Sequence, residues 1–133
     1  MKNLRLTTLA LIFSVAIFSC SKTNNAPTYS IVGTWTGSLT GVNEANFGLL
    51  YYSFIIKSDS TIATQSTGTD GKTYLGNGTW KLNGTNFSAK SVSNGTAQTI
   101  TAIFSSSRGS LTSGAWSNDN GTDSGTFTMT RVN

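Results

Sequence analysis

Ile31-Val32-Gly33-Thr34-Trp35-Thr36-Gly37-Ser38-Leu39 alternates along its whole length. Ile31, Gly33, Trp35, Gly37 and Leu39 fall on one side of an extended chain, and Val32, Thr34, Thr36 and Ser38 on the other. Successive side chains of a strand point to opposite faces, so this period of two predicts a strand with one buried face. The triplet Gly33-Thr34-Trp35 echoes as Gly78-Thr79-Trp80 and as Gly114-Ala115-Trp116.

Outward from this stretch the same patterning predicts seven more strands: Leu49–Ser58, Thr61–Ser66, Tyr74–Leu82, Asn86–Val92, Ala97–Ser105, Leu111–Ser117 and Thr122–Val132. Their inward residues are aromatic-rich. They include Leu50, Tyr52, Phe54 and Ile56, then Tyr74, Trp80 and Leu82, then Phe87, Phe104, Phe127, Met129 and Arg131. Parity counted from Leu111 puts Trp116 on the outer face. Val42 to Phe47 has room for one helical turn.

The punctuation agrees with this count. Asp70-Gly71, Asn83-Gly84, Asn94-Gly95 and Asn120-Gly121 each separate two strands, as type I′ hairpin turns would. Arg108-Gly109 and Asp59-Ser60 fill the remaining gaps. Asn77-Gly78 falls inside a strand, which predicts a bulge or a barrel corner. Four of the Asn-Gly pairs continue into Thr as glycosylation sequons, and the turn reading accounts for all but the one at Asn77. Eight strands joined by short connections predict an all-β, antiparallel up-and-down barrel, because closure removes the exposed edges. A two-sheet β-sandwich satisfies the same pattern.

Composition narrows the chemistry. The 133 residues suit one domain, placed at residues 31–133. Charged residues make up only 11% of the chain, so self-repulsion does not oppose a packed core. From residue 20 onward seven basic side chains face five acidic ones, all scattered. A nucleic-acid partner is not expected, since that needs clustered basic residues. There is no histidine and one cysteine. No disulfide can form within the domain, and Cys/His metal sites and Ser-His-Asp catalysis lack their parts. Glu44, Asp59, Asp70, Asp119 and Asp123 fall in loops with no motif spacing. Neither an enzyme nor a cofactor or metal is expected.

The first 19 residues read as an export signal. Lys2 and Arg5 precede the apolar run Leu6–Phe18, and small Ser19 ends it. Ile17-Phe18-Ser19-Cys20 resembles the bacterial lipobox, with a bulky Phe18 of the kind found in Bacteroidota lipoproteins. That resemblance implies lipidation of Cys20, acylation of the new N-terminus and attachment to a bilayer in the cell envelope, most simply the outer membrane. Two or more acyl chains give stable anchoring, at ~0.8 kcal/mol per buried CH₂. The competing reading is an ordinary signal peptide. Residues 20–30, polar and holding the one proline, read as a flexible tether. Lys22 stands where some Bacteroidota lipoproteins carry acidic surface-export residues, and the membrane face stays open. Asp59-Ser60-Thr61 resembles the O-glycosylation motif of that group's secreted proteins, which implies Ser60 as acceptor; the alternative is a polar turn.

Gly-x-Trp at the start of a meander resembles the lipocalin-like (calycin) superfamily. In that family the Trp crosses the closed end of the barrel and packs on an Arg from near the chain's end. The resemblance implies Trp35 and Arg131 for those roles, with Gly33 giving room. Avidins also begin Gly-Thr-Trp, but hold biotin with an Asn two residues after the Trp. Gly37 stands there, and biotin binding is not carried over.

Two functions remain. An eight-stranded barrel is just wide enough to be filled by side chains or to hold one small ligand. The first is a monomeric barrel binding a small apolar ligand, lined by Tyr52, Phe54, Tyr74, Trp80, Phe104 and Phe127. The second is a filled barrel that recognises an envelope protein through its loops, Thr40–Gly48 with Glu44 and Phe47 above all.

Overall fold

A computed structural model describes residues 26–41 and 50–133. The leader, Cys20, most of the tether and the Val42–Phe47 helical turn lie outside the described residues, as do Glu44 and Phe47. The described chain forms eight strands, β1 Gly33–Gly41, β2 Leu50–Ile56, β3 Thr61–Thr67, β4 Thr73–Asn83, β5 Asn86–Ser93, β6 Thr96–Ser105, β7 Ser110–Asn118 and β8 Ser124–Arg131. Each strand pairs antiparallel with the next, and β8 returns to β1 in register from Trp35↔Arg131 to Gly41↔Gly125. The sheet is a closed up-and-down barrel with no free edge. Of the two architectures compatible with the pattern, the sandwich is therefore eliminated. Every strand end lies within two residues of its sequence-based position.

Closure gives the barrel two ends. One carries the start of β1, the end of β8 and the β2–β3, β4–β5 and β6–β7 turns. The other carries the β3–β4, β5–β6 and β7–β8 loops. Between them the interior is packed with side chains. Trp35, Phe54, Phe87, Ile56, Ile62, Ile100 and Leu111 are fully buried. Each such side chain contributes ~1.5–3 kcal/mol through loss of apolar surface to water. Phe54 sits at the centre of a ring cluster. Its centroid lies 4.7 Å from Tyr52 and 5.6 Å from Phe127, both edge-to-face, and 6.3 Å from the stacked Phe87. Such geometries set the electropositive edge of one ring on the face of another.

Strand β7 departs from simple alternation. Leu111 pairs with Met129 and Gly114 with Phe127, so three steps along β7 match two along β8. The same extra residue appears against β6, between Thr101 and Ile103. Ser113 takes φ +50°, the left-handed conformation of a bulge residue. The bulge reverses parity, and Trp116 is buried at 8% exposure instead of facing outward. Counting by twos from Leu111 fails because one residue is spent on the bend.

No register shift occurs at Gly78, where a bulge or corner was expected. The glycine serves close approach instead. A Cβ there would lie 1.8 Å from the carbonyl oxygen of Lys90. Gly37 is equally tight, 1.9 Å from Thr128 O, so the barrel as built has no room at this position for an avidin-type Asn.

The turns follow φ rather than the dipeptide alone. Asn94 and Gly95 both have positive φ between the paired Ser93 and Thr96, as a type I′ turn requires. At the β4–β5 turn Asn83 is still in the ladder, paired with Asn86, and the two-residue loop is Gly84-Thr85. Asp70-Gly71 and Asn120-Gly121 lie in longer loops, where Gly71 N–H bonds Gly68 O at 3.0 Å and Gly121 N–H bonds Asn118 O at 2.9 Å. Each places Asp or Asn at the third turn position and a left-handed Gly at the fourth, the pattern of a type I turn. Asp59-Ser60 is a turn with Ser60 at φ +66° and exposed. Thr61 donates from its backbone and its hydroxyl to Asp59 Oδ1, at 3.0 and 2.6 Å.

Candidate functional site at the barrel mouth

The two ends differ in how they are finished. At the first, Trp35 is fully buried and donates from Nε1 to Ile31 O at 2.8 Å. Gly33, between them, has φ +148°, which turns the chain back across the barrel end. Arg131, the cross-strand partner of Trp35, lays its guanidinium on Gly33: a Cβ there would meet Nη2 at 2.8 Å. Arg131 Nη2 donates to Val32 O at 3.3 Å. Gly33, Trp35 and Arg131 thus come together at one end of the barrel. The guanidinium rests on Gly33 and Val32, while the ring that meets Trp35 is Phe104, edge-on at 5.9 Å. Trp80 finishes the same end, stacked on Phe87 at 6.4 Å and donating to Lys57 O at 2.9 Å.

The segment before β1 joins this plug. Tyr29 N–H bonds Ser106 O at 2.8 Å, and its ring covers Gly109 in the β6–β7 turn. Arg131 N–H bonds Gly109 O at 2.9 Å, and Val132 N–H bonds Thr34 O at 2.8 Å. The packed unit therefore begins at Tyr29, two residues inside the segment read from sequence as tether.

The described residues at the opposite end leave a concavity instead of a plug. A cavity of about 260 Å³ occupies the mouth. Its walls differ by strand. Leu39 on β1, Tyr52 on β2 and Trp116 on β7 make an apolar arc. Ser66 on β3, Tyr74 on β4, Ser93 on β5 and Gln98 on β6 make a polar arc facing it. Loop residues including Asp70, Asn94 and Asp123 complete the rim.

The mouth is held by its own hydrogen bonds. Trp116 donates from Nε1 to Thr40 O at 3.2 Å. Gln98 Nε2 donates to Asn118 Oδ1 at 3.2 Å, and Tyr74 donates its hydroxyl proton to Asp70 Oδ2 at 3.0 Å. Asp70 also accepts from the Lys72 backbone N–H and pairs with Lys72 Nζ at 3.1 Å. These contacts, the backbone N–H first, hold the Asp70 carboxyl below its ordinary range, so it is ionised at neutral pH. Burial alone pushes the Tyr52 phenol far above its ordinary range, so it stays neutral. Below the mouth, Ser91 is 2% exposed, and its Oγ has no hydrogen-bond partner among the described residues.

Of the six side chains expected to line a cavity, Tyr52 and Tyr74 do so. Phe54, Phe104 and Phe127 belong to the packed core, and Trp80 to the plug. Sequence reasoning missed Gln98 and Trp116. Gln98 lies on the inward parity of Ile100, a signal that was available. Trp116 was hidden by the bulge. Lys72 lies outside the lining, which among the described residues contains no basic residue and two carboxylates. No protein-family model matches the chain, and no curated protein matches it. The closed eight-stranded antiparallel topology is compatible with a lipocalin-like fold.

Proposed function

We propose that this chain is a lipocalin-like, membrane-anchored binding domain of the bacterial cell envelope that takes a small ligand at the mouth of its barrel. The carrying observation is the contrast between the two ends: a stitched aromatic plug at one, and a two-sided cavity of about 260 Å³ at the other. Ligand sites are concave, largely preformed and fixed by a few polar groups. The mouth has these properties. The packed rings below it leave the cavity at the rim, so a ligand would bind there rather than along the barrel axis.

The anchor fits this polarity. Tyr29 fastens the chain to the plug end, and Cys20 precedes it by nine residues, a reach of at most ~30 Å. A lipid on Cys20 would hold the plug toward the bilayer and leave the mouth facing away from it. Metabolic labelling with an alkyne fatty acid tests the anchor: the label should be present in the native chain and absent from Cys20→Ala. Crosslinking from residues 52 and 74 tests the mouth, and capture of one small metabolite class is the expected result.

Protein recognition is the second reading. Tyr51, Ile55, Leu75 and Val92 are exposed apolar residues on the outer faces of β2, β4 and β5. A partner protein captured by crosslinkers on these residues, with nothing captured at the mouth, would favour it.

A further inference from the structure

Resting on the reading of the mouth as the binding site, we infer that its ligand is a neutral monosaccharide unit, free or at the end of a glycan.

The argument starts from charge. Among the described residues the lining holds two carboxylates and no cation. A carboxylate or phosphate ligand would enter against Asp70 and Asp123, and the nearby Lys72 ammonium is already paired with Asp70; desolvating such an anion without a partner of its own is costly. Fatty acids and nucleotides are therefore poor fits. A cationic ligand meets partly satisfied acids, since Asp70 is engaged by Lys72 and Tyr74 and Asp123 accepts the Ser124 N–H at 2.8 Å.

Shape and polarity follow. Leu39, Tyr52 and Trp116 offer apolar surface on one arc. Ser66, Ser93 and Gln98 offer hydroxyls and an amide on the other. A sugar ring has the matching two-sided character, a C–H face and a rim of hydroxyls. Each hydroxyl donates once and accepts twice, and side-chain amides, hydroxyls and carboxylates supply both functions. Ser91, the cross-strand neighbour of Gln98, lies beneath this wall and outside the lining, its buried Oγ without a hydrogen-bond partner among the described residues. The cavity equals the share of roughly nine liquid waters, room for one sugar ring and not for a long acyl chain.

The test is calorimetric titration of the full-length protein in detergent with methyl β-D-glucopyranoside, methyl β-D-galactopyranoside and N-acetylglucosamine. Parallel arms use dodecanoate and tetramethylammonium. At least one sugar should bind. Gln98→Leu, which keeps the side-chain volume but removes the amide, should weaken it tenfold or more. Ser66→Ala, which removes one hydroxyl of the polar arc, serves as a second variant should the first fold poorly, and a several-fold loss is expected. Binding of dodecanoate or tetramethylammonium, blocked by Gln98→Leu, with all sugars silent would overturn the sugar assignment while leaving the mouth as the site. Silence of every arm, with no ligand at the mouth, would overturn both. Sugar binding indifferent to both variants would place the sugar elsewhere and overturn the inference.

Discussion

The indole N–H of Trp116 reaches the carbonyl of Thr40, 3.2 Å away, across an intervening strand. Trp116 is on β7 and Thr40 on β1, with β8 between them. The indole passes over Gly125, its register partner on β8, where a Cβ would stand 2.7 Å from Nε1 and 1.7 Å from Thr40 O. One side chain thus spans the seam where the barrel closes, at the rim of the cavity. At the plug Trp35 and Trp80 also donate to backbone carbonyls, Trp35 to Ile31 in its own segment and Trp80 to Lys57 in the β2–β3 turn.

Gly125→Ala should break this latch. The added methyl has backbone on one side and the indole on the other, and neither is a flexible chain end. Overpacking of this kind costs about 1–3 kcal/mol, and the upper end is expected here. Trp116→Phe should cost less than the glycine change through the lost hydrogen bond, about 1–2 kcal/mol, with added loss from the smaller ring. Urea denaturation monitored by far-ultraviolet circular dichroism measures both.

Gly33→Ala should cost about 1–3 kcal/mol from backbone strain alone, since its φ is +148°. The new methyl would also press on the Arg131 guanidinium. Removing that guanidinium relieves the second effect. Gly33→Ala combined with Arg131→Ala should therefore lose less stability than the two single changes added, which a double-mutant cycle detects.

Ser113→Gly should stabilise the protein. Ser113 is exposed and holds φ +50° at the β7 bulge. Left-handed backbone costs an L-residue ~1–2 kcal/mol that glycine avoids, offset in part by glycine's greater chain entropy. A net gain of about 0.5–1 kcal/mol is expected, seen as a melting temperature a few degrees higher. Ser113→Pro should fail to fold, because φ is fixed near −65° in proline.

The bulge also marks how far sequence carried the fold. Period-two patterning located all eight strands because each has one buried face, but it fitted a sandwich as well as a barrel, and only the β1–β8 pairing decides for closure. Trp116 was misplaced because a left-handed Ser carries no clear signature, unlike the left-handed Gly of a turn. Asn83-Gly84 was read one residue early, because an Asn in the last ladder position looks like the first turn residue. That Trp35 and Arg131 share one end of the barrel was legible through resemblance; the seat of the guanidinium on Gly33 and Val32 was not. Most of the polar arc was not: Gln98 shares the inward parity of Ile100, but Ser66 and Ser93 have the composition of any exposed strand face. Only register shows that they face Trp116 across the mouth.

Stability should be flat between about pH 5 and pH 9, because no histidine titrates there. Asp59 and Asp70 have folded pKa values below 3.8, Asp59 through its Thr61 hydrogen bonds first. Their contribution is full above that value and is lost as pH falls through the folded pKa, so stability declines in acid. Tyr52 has a folded pKa above 10.0. Its contribution is full below 10.0 and is lost as pH rises beyond it, at up to ~1.4 kcal/mol per pH unit. Thermal melts from pH 2 to 11 should show both slopes, and Tyr52→Phe should flatten the alkaline one.

The three indole N–H groups supply the most direct test that the mouth, and not the barrel interior, is the working site. Trp116 lines the cavity, whereas Trp35 and Trp80 belong to the plug. In a ¹H–¹⁵N spectrum of the native protein titrated with methyl β-D-glucopyranoside and then a fragment library, the Trp116 indole resonance should move with ligand while those of Trp35 and Trp80 stay fixed. Movement of Trp35 or Trp80 with Trp116 unchanged, or no movement of any of the three, would contradict the account.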